Sequence, residues 1–325
     1  MPYIFDGHSD ILEDVDEKRQ RGLDRIIETC HAESWHRGDC RGGFCPIWVD
    51  PFETVYTMPV EAQAERIIAH MEAELAENLL AEAVGDYAEY CDALARGRHA
   101  MLLGSEGLSY LHGDAGKLEA LYQRKFRIFS LTWNEENEFA AGASAPDTHG
   151  LTAQGKAAVR EIERLGAILD LAHSSRKTFF DAAAMATKPF VVSHGNVDAL
   201  FPHPRNLTDA QLSCLREHGG VLGISAYGPF ISNEPGKMTC KAYCDNIEYV
   251  ADKIGVKYVG LGFDFVDFLD DYGEDESLGS AIRGLEGIRA AQNIADELAA
   301  RGVSESDIGL IFHGNFERIL KEVLS

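Results

Sequence analysis

Residues 151–173, LTAQGKAAVREIERLGAILDLAH, contain a helix, its stop signal and a strand in that order. Thr152 reads as the N-cap of a helix over 153–164, and Gly166 as the residue that ends it. The apolar run AILDLA, 167–172, is short enough for a buried strand, and it leads directly into His173. A helix that feeds a buried strand with a titratable residue at its end is one half-turn of an α/β fold.

The same alternation runs along the whole chain. Strands are expected at 3–7, 44–49, 99–104, 126–132, 167–172, 189–193, 221–227 and 258–263. Helices are expected at 60–86, 115–123, 153–164, 175–186, 208–217, 241–254 and 279–301, with Thr208 and Gln211 forming a capping box for the fifth. Eight β-runs separated by helices over 325 residues predict a (β/α)8 TIM barrel rather than a doubly wound sheet. No repeat, low-complexity stretch or Pro/Gly/Ser linker divides the chain, so 1–325 is expected to be a single catalytic domain. The helical tract 60–96 exceeds a standard βα unit.

Composition narrows the partners. With 30 basic and 53 acidic residues the net charge is −23, which repels nucleic acid and anionic lipid. No apolar run approaches the roughly 20 residues of a spanning helix. The N-terminal MPYIFDG lacks a basic stretch followed by an apolar one, so no leader and a cytoplasmic location are expected. Seven scattered cysteines without a CxxC pair read as reduced thiols, not as a metal site.

A barrel builds its active site at the C-terminal ends of its strands. Strand 1 ends in His8 and Asp10, strand 3 in Glu106, strand 5 in His173, strand 6 in His194 and strand 8 in Asp264. Each has an ordinary reading when taken singly. H-x-D is a common turn, Glu106 before Gly107 suits a cap, and His173, His194 and Asp264 suit loops that lead into helices. Together they put three histidines and three carboxylates on one rim. His8 and Asp10, at i and i+2, face the same way and can hold one ion while Ser9 points away. His173 and His194, from adjacent strands, can hold a second, and Glu106 lies between the pairs and can bridge. Mixed N/O ligation suits zinc and related divalent ions. Two such ions can share a water and lower its pKa, yielding a hydroxide for attack on a carbonyl. Asp264 is placed to take the proton and pass it to a leaving amine.

At these residues the sequence resembles the membrane-dipeptidase (renal dipeptidase) family, peptidase family M19 of the amidohydrolase superfamily. The likeness runs in order through DGHSD, GSEG, LTWNEEN, the 150–175 block, VVSHGNVDALFPHPRNLTDAQL, GGVLGISAY, YVGLGFDF and HGNFERIL. It implies a binuclear zinc site on His8, Asp10, Glu106, His173 and His194, with Glu106 bridging and Asp264 handling the water's proton. It implies that Arg205 grips the substrate's C-terminal carboxylate and that Tyr227 lines the substrate site. The implied reaction is dipeptide hydrolysis, with a D-residue tolerated at the C-terminal position, by a homodimer.

Two departures bear on the substrate. The family carries a histidine after LT at the end of strand 4, where this chain has Trp133; Asn134 or Asn137 is the expected replacement donor. After Asp264 and Phe265 the chain has Val266 and Asp267 instead of the family's DG. The alternative reading keeps the binuclear metal hydrolase but gives it a non-peptide carboxylate with an amide or C–C bond to cleave.

Overall fold

The computed structural model describes residues 2–53, 58–146, 148–269 and 280–325. Eight parallel strands form a continuous path: β1 (Ile4–Asp6), β2 (Cys40–Trp48), β4 (His99–Glu106), β5 (Phe126–Ser130), β6 (Ile168–Asp170), β7 (Val191–Gly195), β8 (Val221–Ile224) and β9 (Val259–Leu261). The first and last strands meet where the Gly7 N–H donates to the Leu261 carbonyl at 2.7 Å, which closes the ring. The result is the (β/α)8 barrel. β3 (Ala81–Ala83) pairs with the start of β4, on the side where β5 joins only the later half of β4.

Helices cover the outside: α1 (Ile11–Gln20), α2 (Ala32–Gly38), α3 (Val60–Glu77), α4 (Tyr87–Ala95), α5 (Leu118–Gln123), α6 (Ala153–Leu165), α7 (Arg176–Ala183), α8 (Asp209–Glu217) and α9 (Cys240–Ile254), followed by α10 (Asn293–Ala300), α11 (Glu305–Gly309) and α12 (Asn315–Val323). Thr152 caps α6 and Gly166 ends it at φ 75°. The capping box of Thr208 and Gln211 starts α8. All seven cysteines are free. Among the described residues, no helix is long and apolar enough to cross a membrane.

Strand alternation divides the core in two. Val192, Leu169, Leu222, Phe129 and Met101 face the helices, whereas Val191, Ile168, Val221, Ile128 and Leu102 pack with Phe5, Phe44 and Phe316. The rings of Phe5, Phe44 and Phe316 lie 5.1–5.5 Å apart, so α12 supplies an aromatic ring to the barrel interior. Towards the strand ends the same inner face turns polar: Ser130, Asp170 and Ser193 follow Ile128, Ile168 and Val191. The apolar layer is the base on which the polar layer is held.

Several expected boundaries move. The helix expected over 60–86 ends at Glu77, because the Asn78 Oδ1 takes the N–H groups of Leu80 and Ala81 and turns the chain into β3. The helix α1 escapes an apolar-period reading because its buried positions include Asp14 and Asp16, neutralised by His31 and Arg66. The helix expected over 279–301 reduces to Asn293–Ala300; residue 279 lies outside the described residues, and Gly284 and Gly287 interrupt the rest. The strand expected over 221–227 stops at Ile224.

Two glycines let the barrel tighten beneath its rim. A Cβ on Gly223 or Gly262 would run into the Ser193 carbonyl. Gly262→Ala should cost about 1–3 kcal/mol through overpacking, read as a lower urea midpoint at unchanged slope.

Candidate metal centre and active site

Each residue singled out at a strand end reaches the same rim. His8 follows β1 by two residues, Asp10 starts α1, and Glu106 is the last residue of β4. His173 follows β6, and His194 lies within β7, where pairing with β8 shifts register between Val192 and Gly195. Asp264 follows β9. His8 and His194 are 2% and 1% exposed, and Asp10, Glu106 and His173 are also buried.

Glu106 Oε1 is the meeting point. It lies 2.7 Å from His173 Nε2, 3.5 Å from His194 Nε2 and 3.7 Å from His8 Nε2. His8 Nε2 is also 3.2 Å from Asp10 Oδ1. Donor atoms of His8, Glu106 and His194 fall within 4.8 Å of one another, as do those of His8, Asp10 and Asp264.

The hydrogen bonds behind the rim decide what this cluster wants. His173 Nδ1 donates to Asn134 Oδ1 at 2.9 Å, so its Nε2 carries a lone pair. Ser193 Oγ gives its proton to Asp170 Oδ2 at 2.6 Å and accepts from His194 Nδ1 at 2.9 Å, so that ring too presents a bare Nε2. The two Nε2 atoms face each other at 2.8 Å, beside a carboxylate oxygen. Three acceptors aimed at one space repel unless a cation occupies it. The residues present therefore fit a divalent metal site, with the orienting second layer such ligands need.

Electrostatics agrees. Burial raises Glu106 to about 8, with Asp10 and Asp264 adding to the rise against the pull of His8. Burial likewise lifts Asp264 to about 7. Burial and the charge on Arg205 and His8 hold His173 and His194 well below the usual imidazole range. Burial opposes charge on His8, but Glu106 and Asp10 outweigh it and push His8 up to about 10. Without a cation, the Glu106 and Asp264 carboxyls are driven towards neutrality in a pocket whose lining holds four acids. His173 and Asp264 both hold left-handed backbone, φ 61° and 59°, a strain that the surrounding bonds maintain. The Ala143 N–H binds the His173 carbonyl at 2.7 Å, and the Asp264 N–H binds His8 O at 3.2 Å.

Above the cluster is a pocket of about 240 Å³. Arg205 lies in its lining, 8% exposed, with Nη2 bonded to the His194 carbonyl at 3.3 Å and its guanidinium 5.2 Å from the Phe230 ring. Among the described residues, its buried Nε has no hydrogen-bond partner. Tyr227 lines the pocket and packs edge-on to Phe230 at 4.9 Å. Trp133 and Trp48 also line the pocket, their rings 5.4 Å apart, and Phe52 packs against Trp133 at 6.4 Å. Asn134 lines the pocket while holding His173. Asn137 does not reach it. Its amide donates to the Leu131 carbonyl, and its Oδ1 takes the N–H groups of Phe139 and Ala140, so the loop consumes it.

Sequence reading missed Glu13, Trp48, His203 and Phe230 in the lining. Trp48 ends β2 and Glu13 sits one helical turn past Asp10, so the strand-end rule reached towards both. It missed Asp170 and Ser193 as well, although an aspartate inside the apolar run AILDLA was a visible anomaly.

A family model for membrane dipeptidase, peptidase family M19, matches residues 2–325. The chain belongs to this family. It is similar to the dipeptidase tcpJ of Claviceps purpurea, 33% identical over 70% of this chain and 52% of that protein. It is also similar to the dipeptidase verJ of Clonostachys rogersoniana, 29% identical over 98% of this chain and 84% of that one. The chain thus spans about half the length of tcpJ. Among solved structures, a metallo peptidase from Rhodobacter sphaeroides, liganded with a phosphinate mimic of the dipeptide L-Ala-D-Ala, has the same fold. Its TM-score is 0.85 at 22% identity, covering 99% of each chain. A metallopeptidase family implies divalent ions, and the donor set of this M19 chain fits them.

Asp264 allows a test in metal-free protein. Its folded pKa of about 7 lies above the unfolded value of about 3.9. Its contribution to stability is therefore full below about pH 4, is lost as pH rises to 7, and is constant above. Asp264→Asn lacks this loss. The difference in urea unfolding free energy, variant minus wild type, should grow between pH 4 and 7 and then level; a difference independent of pH would refute the assignment.

Proposed function

We propose that residues 1–325 act as one catalytic domain, a zinc-dependent dipeptidase whose substrates are short peptides with a free C-terminal carboxylate. Family membership supports the reaction class. The single observation that carries the substrate is Arg205, a buried guanidinium in the pocket lining, beside the acceptor cluster, whose Nε has no hydrogen-bond partner among the described residues. A carboxylate satisfies such a group through paired, charge-assisted hydrogen bonds.

In this reading His8, Asp10, His173, His194 and Glu106 would hold the divalent ions, His8 with Asp10 for one and His173 with His194 for another. Divalent ions held there would supply Lewis acidity towards a carbonyl oxygen and a nearby water. The chain's own residues do the rest. Arg205 anchors the C-terminal residue, so that the scissile carbonyl lies over the cluster. Asp264 takes the proton of the attacking water as the C–O bond forms. It returns that proton to the leaving nitrogen as the C–N bond breaks. Asn134 keeps the His173 ring in its tautomer, and Ser193 with Asp170 does so for His194. Tyr227 and Trp133 bound the substrate. A D-residue at the C-terminal position goes with this reading, as does a homodimer in the cytoplasm; the L-Ala-D-Ala mimic in the Rhodobacter structure supports the former.

Trp133 favours a second reading, because an indole packed against Trp48 and Phe52 carries no charge to stabilise an oxyanion. The same machinery would then cleave a non-peptide carboxylate.

Protein loaded with zinc should hydrolyse members of a panel of L,L- and L,D-dipeptides. Asp264→Asn should lower kcat by at least about a hundredfold while elemental analysis still finds the metal. A metal-loaded wild type silent on the whole panel would move the assignment to the second reading. Arg205→Met should raise KM for free dipeptides by about tenfold or more and erase the wild type's preference for them over the corresponding dipeptide amides; an unchanged preference would remove Arg205 from carboxylate recognition.

A further inference from the structure

Glu13 differs from its neighbours Asp14 and Asp16 on α1, and among the four acids of that helix it is the one that lines the pocket. Asp14 is neutralised by Lys18 and by His31, 2.7 Å away; Asp16 is neutralised by Arg66 at 2.8 Å and His70 at 2.7 Å. Glu13 lies on the first turn of the same helix, its N–H bonded to the Asp10 carbonyl at 3.0 Å, and its side chain lines the substrate pocket. Among the described residues, no hydrogen bond or ion pair reaches its carboxylate.

Counting charge around the pocket shows what Glu13 lacks. The lining holds four carboxylates, Asp10, Glu13, Glu106 and Asp264, against one guanidinium, Arg205. On the dipeptidase reading above, on which this step rests, Asp10, Glu106 and Asp264 attend the metals and Arg205 meets the substrate carboxylate. Among the described residues Glu13 is then the lining acid without a cationic partner, and burial beside Asp10 holds its carboxyl above the usual carboxylate range until a cation meets it. Its position says which part of the substrate would supply one. Arg205 follows β7, whereas Glu13 follows β1 across the ring, next to Trp48 at the end of β2. A peptide anchored through its C-terminus at Arg205, with its scissile carbonyl at the rim, extends its N-terminal residue towards Glu13. Trp48 and Trp133 add aromatic faces on that side, which attract cations. The overall charge of −23 draws cationic solutes towards such a pocket.

We infer that Glu13 is a specificity residue that selects dipeptides whose N-terminal residue carries a basic side chain. It pairs with that side chain's cation; it takes no part in bond cleavage.

Lysyl-alanine and norleucyl-alanine test this, because their side chains match in length and differ in charge. Wild type should favour lysyl-alanine in kcat/KM by about tenfold, the effect of one charge-assisted hydrogen bond. Glu13→Gln should bring the ratio close to unity, and Glu13→Lys should shift preference to glutamyl-alanine. Dissociation constants of the two matching non-hydrolysable phosphinates, by calorimetry, should follow the same ratio. Equal turnover of both peptides by wild type would overturn the inference whatever the variants do. A Glu13→Gln protein that slows both by one common factor would also overturn it, assigning Glu13 to the α-ammonium or to folding. Silence on both peptides would overturn the dipeptidase reading itself, an outcome distinct from equal turnover.

Discussion

One carboxylate oxygen, Glu106 Oε1, is buried within 3.7 Å of three imidazole Nε2 atoms. Two of those nitrogens are forced by their own hydrogen bonds to present lone pairs, so the arrangement is repulsive in itself. It persists because the barrel holds every member rigidly, and it is relieved by positive charge. The shifts of Glu106 and Asp264 up, and of His173 and His194 down, are the same frustration expressed as protonation.

The scaffold that imposes this has a clear division of labour. Its inner face is apolar at one end, where Phe5, Phe44 and Phe316 interlock with strand residues. It is polar at the other, where Asp170 and Ser193 set the tautomer of His194. The glycines at 223 and 262 let neighbouring strands close under Ser193. Packing energy from the apolar layer thus holds charged groups in positions that they would not choose, with His173 and Asp264 in left-handed backbone as the local cost.

Much of this was legible in the chain itself. Caps at Thr152, Gly166 and Thr208 and the eightfold alternation announced the barrel, and the titratable residues at strand ends marked its rim. Where the reading failed, side-chain chemistry had overridden pattern. α1 buries Asp14 and Asp16 beside Ile11, Leu12 and Val15 because partners arrive from elsewhere in the chain, so its apolar stripe is cut short. Asn137 looked like a candidate donor by proximity to Trp133, but its hydrogen bonds are spent on the local loop. Glu13 was passed over because nothing in its neighbours reveals that Asp14 and Asp16 are paired while Glu13 has no ion pair among the described residues.

The sequence by itself determined the fold class and which titratable residues gather at the rim, since both depend on periodicity and on which residue types end each strand. Tertiary structure alone decided which lone pairs face each other, which side chains line the pocket and which charge is left over. Those depend on contacts between segments far apart in the chain, such as Ser193 with Asp170 or His173 with Asn134. No local pattern records them, because their energies exist only once the barrel has closed.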